Sequence, residues 1–141
     1  MWNMIWPILV VVGANTIYNI SAKSTPANVN SFASLAVSYA IGMALCLVMF
    51  YITSENKRIF AELSKTNWTT LVLSVAIVAL EFGYICIYRA GWKISVATLI
   101  ANISLACVLI IVGLLLYKES ISPRQIVGIL VSAIGLILIA K

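Results

Sequence analysis

The fold of this protein is decided by the stretch from Ser95 to Tyr117, which reads SVATLIANISLACVLIIVGLLLY. It contains no charged residue and exceeds the roughly 20 apolar residues that a helix needs to cross a bilayer. Four further predominantly apolar stretches of about this length lie before and after it. The predicted spans cover residues 4–22, 31–53, 68–88, 95–117 and 123–140. We therefore expect an all-α membrane protein with five transmembrane helices.

The composition limits the possible functions. Of 141 residues, 63% are hydrophobic and 9% are charged, whereas a soluble domain has roughly 25% charged residues. Such a chain cannot cover a water-exposed surface with charge, which excludes a soluble enzyme and a nucleic-acid-binding module despite the net charge of +5. We predict that it is not an enzyme but an integral, multi-pass protein of a bacterial or archaeal plasma (inner) membrane.

Metal sites and cofactors are also not expected. The sequence has no histidine. Its three cysteines, Cys46, Cys86 and Cys107, lie in apolar runs at spacings unlike those of metal ligands. We therefore predict no metal ion, no cofactor and no disulfide framework.

The basic residues are divided almost evenly between the two sides of the membrane. The loops on the N-terminal side carry five, namely Lys57, Arg58, Lys65, Lys118 and Arg124. The opposite side carries four, namely Lys23, Arg89, Lys93 and Lys141. Because an excess of Lys and Arg on one side orients a membrane protein, this balance favours dual topology, in which copies insert both ways and pair antiparallel. The alternative is one fixed orientation with the N-terminus inside.

Glu81 is the acidic residue within the predicted spans, just past the middle of the third. A carboxylate there costs roughly 3 kcal/mol on insertion scales, so it needs a proton, water or a cation. Tyr84 follows three residues later on the same helix face. One interpretation is a protonatable site that couples protons to a substrate or pairs with a cationic substrate. The other is a structural ion pair with a basic residue of another helix.

Two polar stripes interrupt the first and fourth spans. Asn15, Tyr18 and Asn19 share a face of the first, and Thr98 and Asn102 share a face of the fourth. Amides facing lipid are unfavourable, so these residues either line a cavity or hydrogen-bond between helices. Together with Glu81 and Tyr84, they are the predicted substrate- and proton-binding residues.

The most specific stretch lies near the end of the chain. It reads YKESISPRQIVGIL over residues 117–130 and continues as SAIGLI over 132–137. Ser122, Pro123 and Gln125 predict a capping box at the start of the fifth helix. With Glu119, Gly128 and Gly135, this pattern resembles the EamA-type repeat of the drug/metabolite transporter superfamily.

The resemblance implies a fold and a function. Residues 1–141 would form a single EamA-like transmembrane domain, whereas most such proteins carry two repeats of opposite topology. A lone repeat rebuilds that arrangement by pairing with an oppositely inserted copy, giving an antiparallel homodimer of ten helices. The implied function is secondary active transport of a metabolite or drug-like molecule by alternating access, with Glu81 carrying the proton if transport is proton-coupled. The alternative is a non-transporting or lipid-handling membrane subunit that pairs with a different chain.

Overall fold

The computed structural model describes residues 2–118 and 122–140, and within these ranges it contains helices and no strand. The helices are α1 (Trp2–Ser24), α2 (Ser31–Thr53), α3 (Ile59–Leu63), α4 (Trp68–Arg89), α5 (Ile94–Leu116) and α6 (Pro123–Ala140). Of these, α1, α2, α4 and α5 are long and apolar enough to cross a membrane. Helix α6 covers the predicted fifth span with 18 residues. That α6 also crosses the membrane stays a prediction.

The ends of the helices follow from local chemistry. Before α2, the side-chain oxygen of Asn30 accepts hydrogen bonds from the backbone nitrogens of Phe32 at 2.9 Å and Ala33 at 3.3 Å. Before α6, the backbone nitrogen of Ser122 donates to Oε1 of Gln125 at 2.7 Å, and the Gln125 nitrogen donates back to Ser122 Oγ at 3.4 Å. These reciprocal bonds confirm the predicted capping box.

The chain divides into two compact units. The N–C unit comprises residues 1–19 and 90–141, and in it α5 packs against α6. The middle unit comprises residues 20–89, and in it α2 packs against α4. Most large apolar side chains along the described helices are exposed. This is expected where lipid, rather than protein, covers the helices, because a transmembrane helix satisfies its backbone hydrogen bonds internally and needs no protein partner for its apolar side chains.

Candidate functional site

A polar cluster joins α1 to α5 in the N–C unit. The side-chain nitrogen of Asn19 donates to the backbone oxygen of Asn15 at 2.8 Å and to its side-chain oxygen at 2.5 Å. The hydroxyl of Thr98 donates to the side-chain oxygen of Asn19 at 3.2 Å. Asn19 is only 4% exposed, so its amide is held by protein groups rather than by solvent. The structure therefore brings three of the predicted site residues together.

Two other predicted residues lie beside this cluster with different environments. Tyr18 is half-buried on α1. Asn102 is exposed on α5, one helical turn beyond Thr98. The cluster thus has a buried part, centred on Asn19, and an exposed part that includes Asn15 and Asn102.

Glu81 and Tyr84 lie on α4 in the middle unit, and both are half-buried. Within residues 2–118 and 122–140, Glu81 forms no ion pair.

Tyr39 on α2 was not identified from the sequence, yet its hydroxyl faces Glu81. The hydroxyl is buried, and no group in the described part of the chain meets it in standard hydrogen-bond geometry. The Glu81 carboxyl is its polar neighbour across the α2–α4 contact. Seven residues before Tyr39, Phe32 stacks on Phe82 with 4.6 Å between ring centroids, which fixes how the two helices align. A lone tyrosine near the centre of an apolar helix is the signal that sequence reasoning passed over.

Two cations brace one end of the middle unit. The ammonium of Lys23 donates to the backbone oxygen of Tyr88 at 3.4 Å and lies 5.7 Å from the centre of the Tyr88 ring. The guanidinium of Arg89 donates to the backbone oxygens of Pro26 at 3.1 Å and Val29 at 2.6 Å. The end of α1 thus contacts the end of α4, and α4 holds the turn that follows α1. Lys23 thus satisfies a backbone oxygen in the last turn of α4, where such oxygens lack helical partners, and Arg89 fixes the turn between α1 and α2.

An apolar groove of about 450 Å³ lies along α2 and α4 in the middle unit. It is lined by Phe32, Ser74, Val75, Val78, Ala79 and Phe82. None of the predicted site residues lines it. Its chemistry suits a hydrocarbon chain better than a polar solute.

A comparison of the sequence with known protein families identifies the family of this chain. The model of the EamA-like transporter family matches residues 2–141. This chain belongs to the EamA-like transporter family. No curated protein and no solved structure matches the chain significantly.

The family membership agrees with the resemblance noted in residues 117–137. Residues 2–141 correspond to one EamA repeat of the drug/metabolite transporter superfamily. The described helices that can span a bilayer make this EamA-like protein an integral, multi-pass membrane protein. Its family is one of transporters rather than enzymes.

Proposed function

We propose that this EamA-like protein is a secondary active transporter of a small molecule, either a metabolite or a drug-like compound, working by alternating access. In this proposal two copies of the five-span domain, residues 1–141, insert in opposite orientations and pair as an antiparallel homodimer of ten helices. The near-even division of basic residues supports dual insertion. The EamA repeat of residues 2–141 supports pairing, since inverted-repeat transporters place their sites between two oppositely oriented halves.

The observation that carries the proposal is the state of Glu81. It is a half-buried carboxyl within a membrane-spanning helix, without an ion pair in the described part of the chain, and its polar neighbour is the Tyr39 hydroxyl. Ionisable groups at such positions usually serve transport, because a purely structural charge would be too unfavourable there. We assign Glu81 the role of proton carrier, which makes the transport proton-coupled.

The remaining predicted residues divide into two roles under this proposal. Asn19 and Thr98 hold α1 against α5 through their hydrogen bond. Asn15 and Asn102 are exposed, so the second copy, or a substrate held between the two copies, can reach their amides. Tyr18 and Tyr84, which are half-buried, are assigned to this second group.

The test uses the purified full-length protein in liposomes. A thermal-shift screen with amino acids, polyamines, nucleosides and cationic dyes identifies a compound that stabilises the protein, and that compound is used for transport. Glu81→Gln keeps the size of the side chain but removes titration. We expect the variant to fold and dimerise, to exchange the compound down its gradient, and to lose the uptake that a pH gradient drives in the wild type.

The same variant separates the competing roles of Glu81. If Glu81 pairs with a basic residue outside the described contacts, its replacement leaves a buried charge unpaired and lowers stability by about 3–5 kcal/mol. Unchanged uptake with unchanged pH dependence would remove Glu81 from the mechanism. Glu62→Gln serves as control, because Glu62 lies in the exposed loop helix α3 and pairs with Lys65 at 2.6 Å.

The alternative function, a non-transporting or lipid-handling subunit paired with a different chain, has one observation in its favour. The groove between α2 and α4 is apolar and of a size to take part of an acyl chain. If this function holds, the protein would stabilise with phospholipid rather than with any compound of the screen, and Glu81→Gln would change nothing.

A further inference from the structure

The positions of Asn15 and Asn102 carry information about how two copies meet. Successive spans cross the bilayer in alternate directions, so α1, the first, and α5, the fourth, run antiparallel. Asn15 lies one turn before Asn19, and Asn102 lies one turn after Thr98, and the side chains of Asn19 and Thr98 are hydrogen-bonded. Because the helices are antiparallel, going from Asn19 back to Asn15 and going from Thr98 on to Asn102 are displacements in the same direction along the membrane normal. Asn15 and Asn102 therefore lie at the same depth.

That depth is the middle of the membrane. Asn15 lies at the midpoint of the apolar part of α1, Ile5–Ser24. In α5, which spans Ile94–Leu116, Asn102 precedes the midpoint by three residues, a rise of about 4.5 Å. Both amides are exposed, and the side chains one turn away on their helices include the exposed apolar residues Val11, Val12 and Leu105. Two amides are thus presented to the part of the bilayer that contains no water.

This placement is unfavourable for a single copy. A polar group in the hydrocarbon region without a partner loses the hydrogen bonds that water would provide. Among the described residues, no hydrogen bond engages the Asn102 side chain. The side-chain oxygen of Asn15 already accepts a hydrogen bond from Asn19. A second surface that offers hydrogen-bonding groups at the same depth would satisfy the Asn102 amide and the rest of the Asn15 amide.

We propose that the face formed by Val11 and Asn15 on α1 and by Asn102, Leu105 and Leu109 on α5, here called the α1–α5 face, is where the second copy of this chain docks. The inference rests on the proposed antiparallel dimer. The two-fold axis of such a dimer lies in the membrane plane at mid-depth, so only residues near the midplane can meet their own copies. Asparagine suits that position, because its amide carries both donors and acceptors and can pair with an identical amide.

Distances between spin labels test the geometry. In a variant with Cys46, Cys86 and Cys107 replaced by alanine, one label is placed at Leu105, the midpoint of α5, and another at Leu116, its end. Both positions are exposed, at 51% and 74%. Across an antiparallel pair, the copies of position 116 are farther apart along the membrane normal than those of position 105 by about 33 Å. A short separation at 105 and a long one at 116 is expected, whereas equal separations would indicate a parallel pair and overturn the inference.

A second measurement tests the amide itself. Asn102→Ala is expected to lower the dimer association constant in lipid roughly 3- to 20-fold, the range for single polar contacts between membrane helices. Ser104→Ala is the control, because Ser104 is exposed on α5 but lies on the other side of the helix. A wild-type protein that is monomeric by mass in lipid would overturn the proposed dimer together with this inference. A dimer that Asn102→Ala leaves unchanged, or that has a long separation at position 105, would overturn this inference alone.

Discussion

Thr98 on α5 donates its hydroxyl hydrogen to the side-chain oxygen of Asn19 on α1, with 3.2 Å between the two oxygen atoms. The two residues are far apart in sequence, and Asn19 is buried. In the water-free part of a bilayer, an amide oxygen depends on such a donor. The bond therefore links two helices as well as satisfying a polar group.

Replacing Thr98 by valine keeps the shape of the side chain and removes this donor. We expect the free energy of unfolding to fall by about 0.5–2 kcal/mol, the range of interhelical hydrogen bonds in membranes. Unfolding by sodium dodecyl sulfate in mixed micelles measures it. Thr16→Val is the matched control, because the Thr16 hydroxyl donates to the Val12 backbone oxygen of its own helix at 2.8 Å. Equal losses for the two variants would contradict a linking role for Thr98.

Arg89 braces the turn after α1 through the backbone oxygens of Pro26 and Val29. Arg89→Lys keeps the charge, so membrane orientation is preserved, but the ammonium does not reproduce the planar guanidinium donor. We expect the free energy of unfolding to fall by about 1 kcal/mol. This is small for hydrogen bonds from a charged donor, because Arg89 is exposed to solvent. We also expect faster proteolysis between residues 25 and 30. Lys93→Arg, a conservative change at an exposed position of the next turn, should alter neither measurement.

Tyr39 is expected to assist Glu81 in transport. Tyr39→Phe keeps the ring in the α2–α4 contact and removes the hydroxyl that faces the carboxyl. We expect pH-driven uptake in liposomes to fall several-fold while thermal stability and dimer mass stay the same. Tyr51→Phe makes the same chemical change at an exposed position near the end of α2 and should leave uptake unaltered. If both variants transport like the wild type, the hydroxyl of Tyr39 has no part in the mechanism.

The orientation in the membrane is expected to respond to small changes in charge. With five basic residues on one side and four on the other, C-terminal reporters active on opposite sides of the membrane should both give signal. The double variant Lys93→Gln/Lys141→Gln leaves five basic residues on the N-terminal side and two on the opposite side. Only one reporter should then give signal, because the side with five basic residues stays in the cytoplasm. A wild-type protein detected by only one reporter would contradict dual insertion. The double variant should also lose transport when expressed alone, because oppositely inserted partners are then missing.

Much of the candidate site could be proposed from local sequence, and there is a physical reason why the rest could not. Amides and a carboxyl stand out in apolar helices because each is unfavourable in lipid, so Asn15, Asn19, Asn102 and Glu81 could be selected residue by residue. Tyr39 could not, because tyrosine is common in membrane helices and its position matters only through the neighbour on α4. Asn19 is buried and Asn102 is exposed, and this difference likewise depends on which helix packs beside each side chain.

The sequence by itself determined that this is a helical membrane protein, where its long helices lie, and that it belongs to a transporter family. These follow from composition, from the lengths of the apolar runs and from short motifs such as Ser122–Gln125, whose capping bonds join residues only three apart. The tertiary structure alone decided that Thr98 bonds to Asn19, that Tyr39 lies beside Glu81, that Lys23 bonds to the end of α4 and that Arg89 holds the turn after α1. Which residues become partners across tens of positions depends on how the helices pack. Apolar helices of similar hydropathy can pack together in lipid in many ways. The choice among them rests on a few polar contacts whose geometry exists only once the helices are in place.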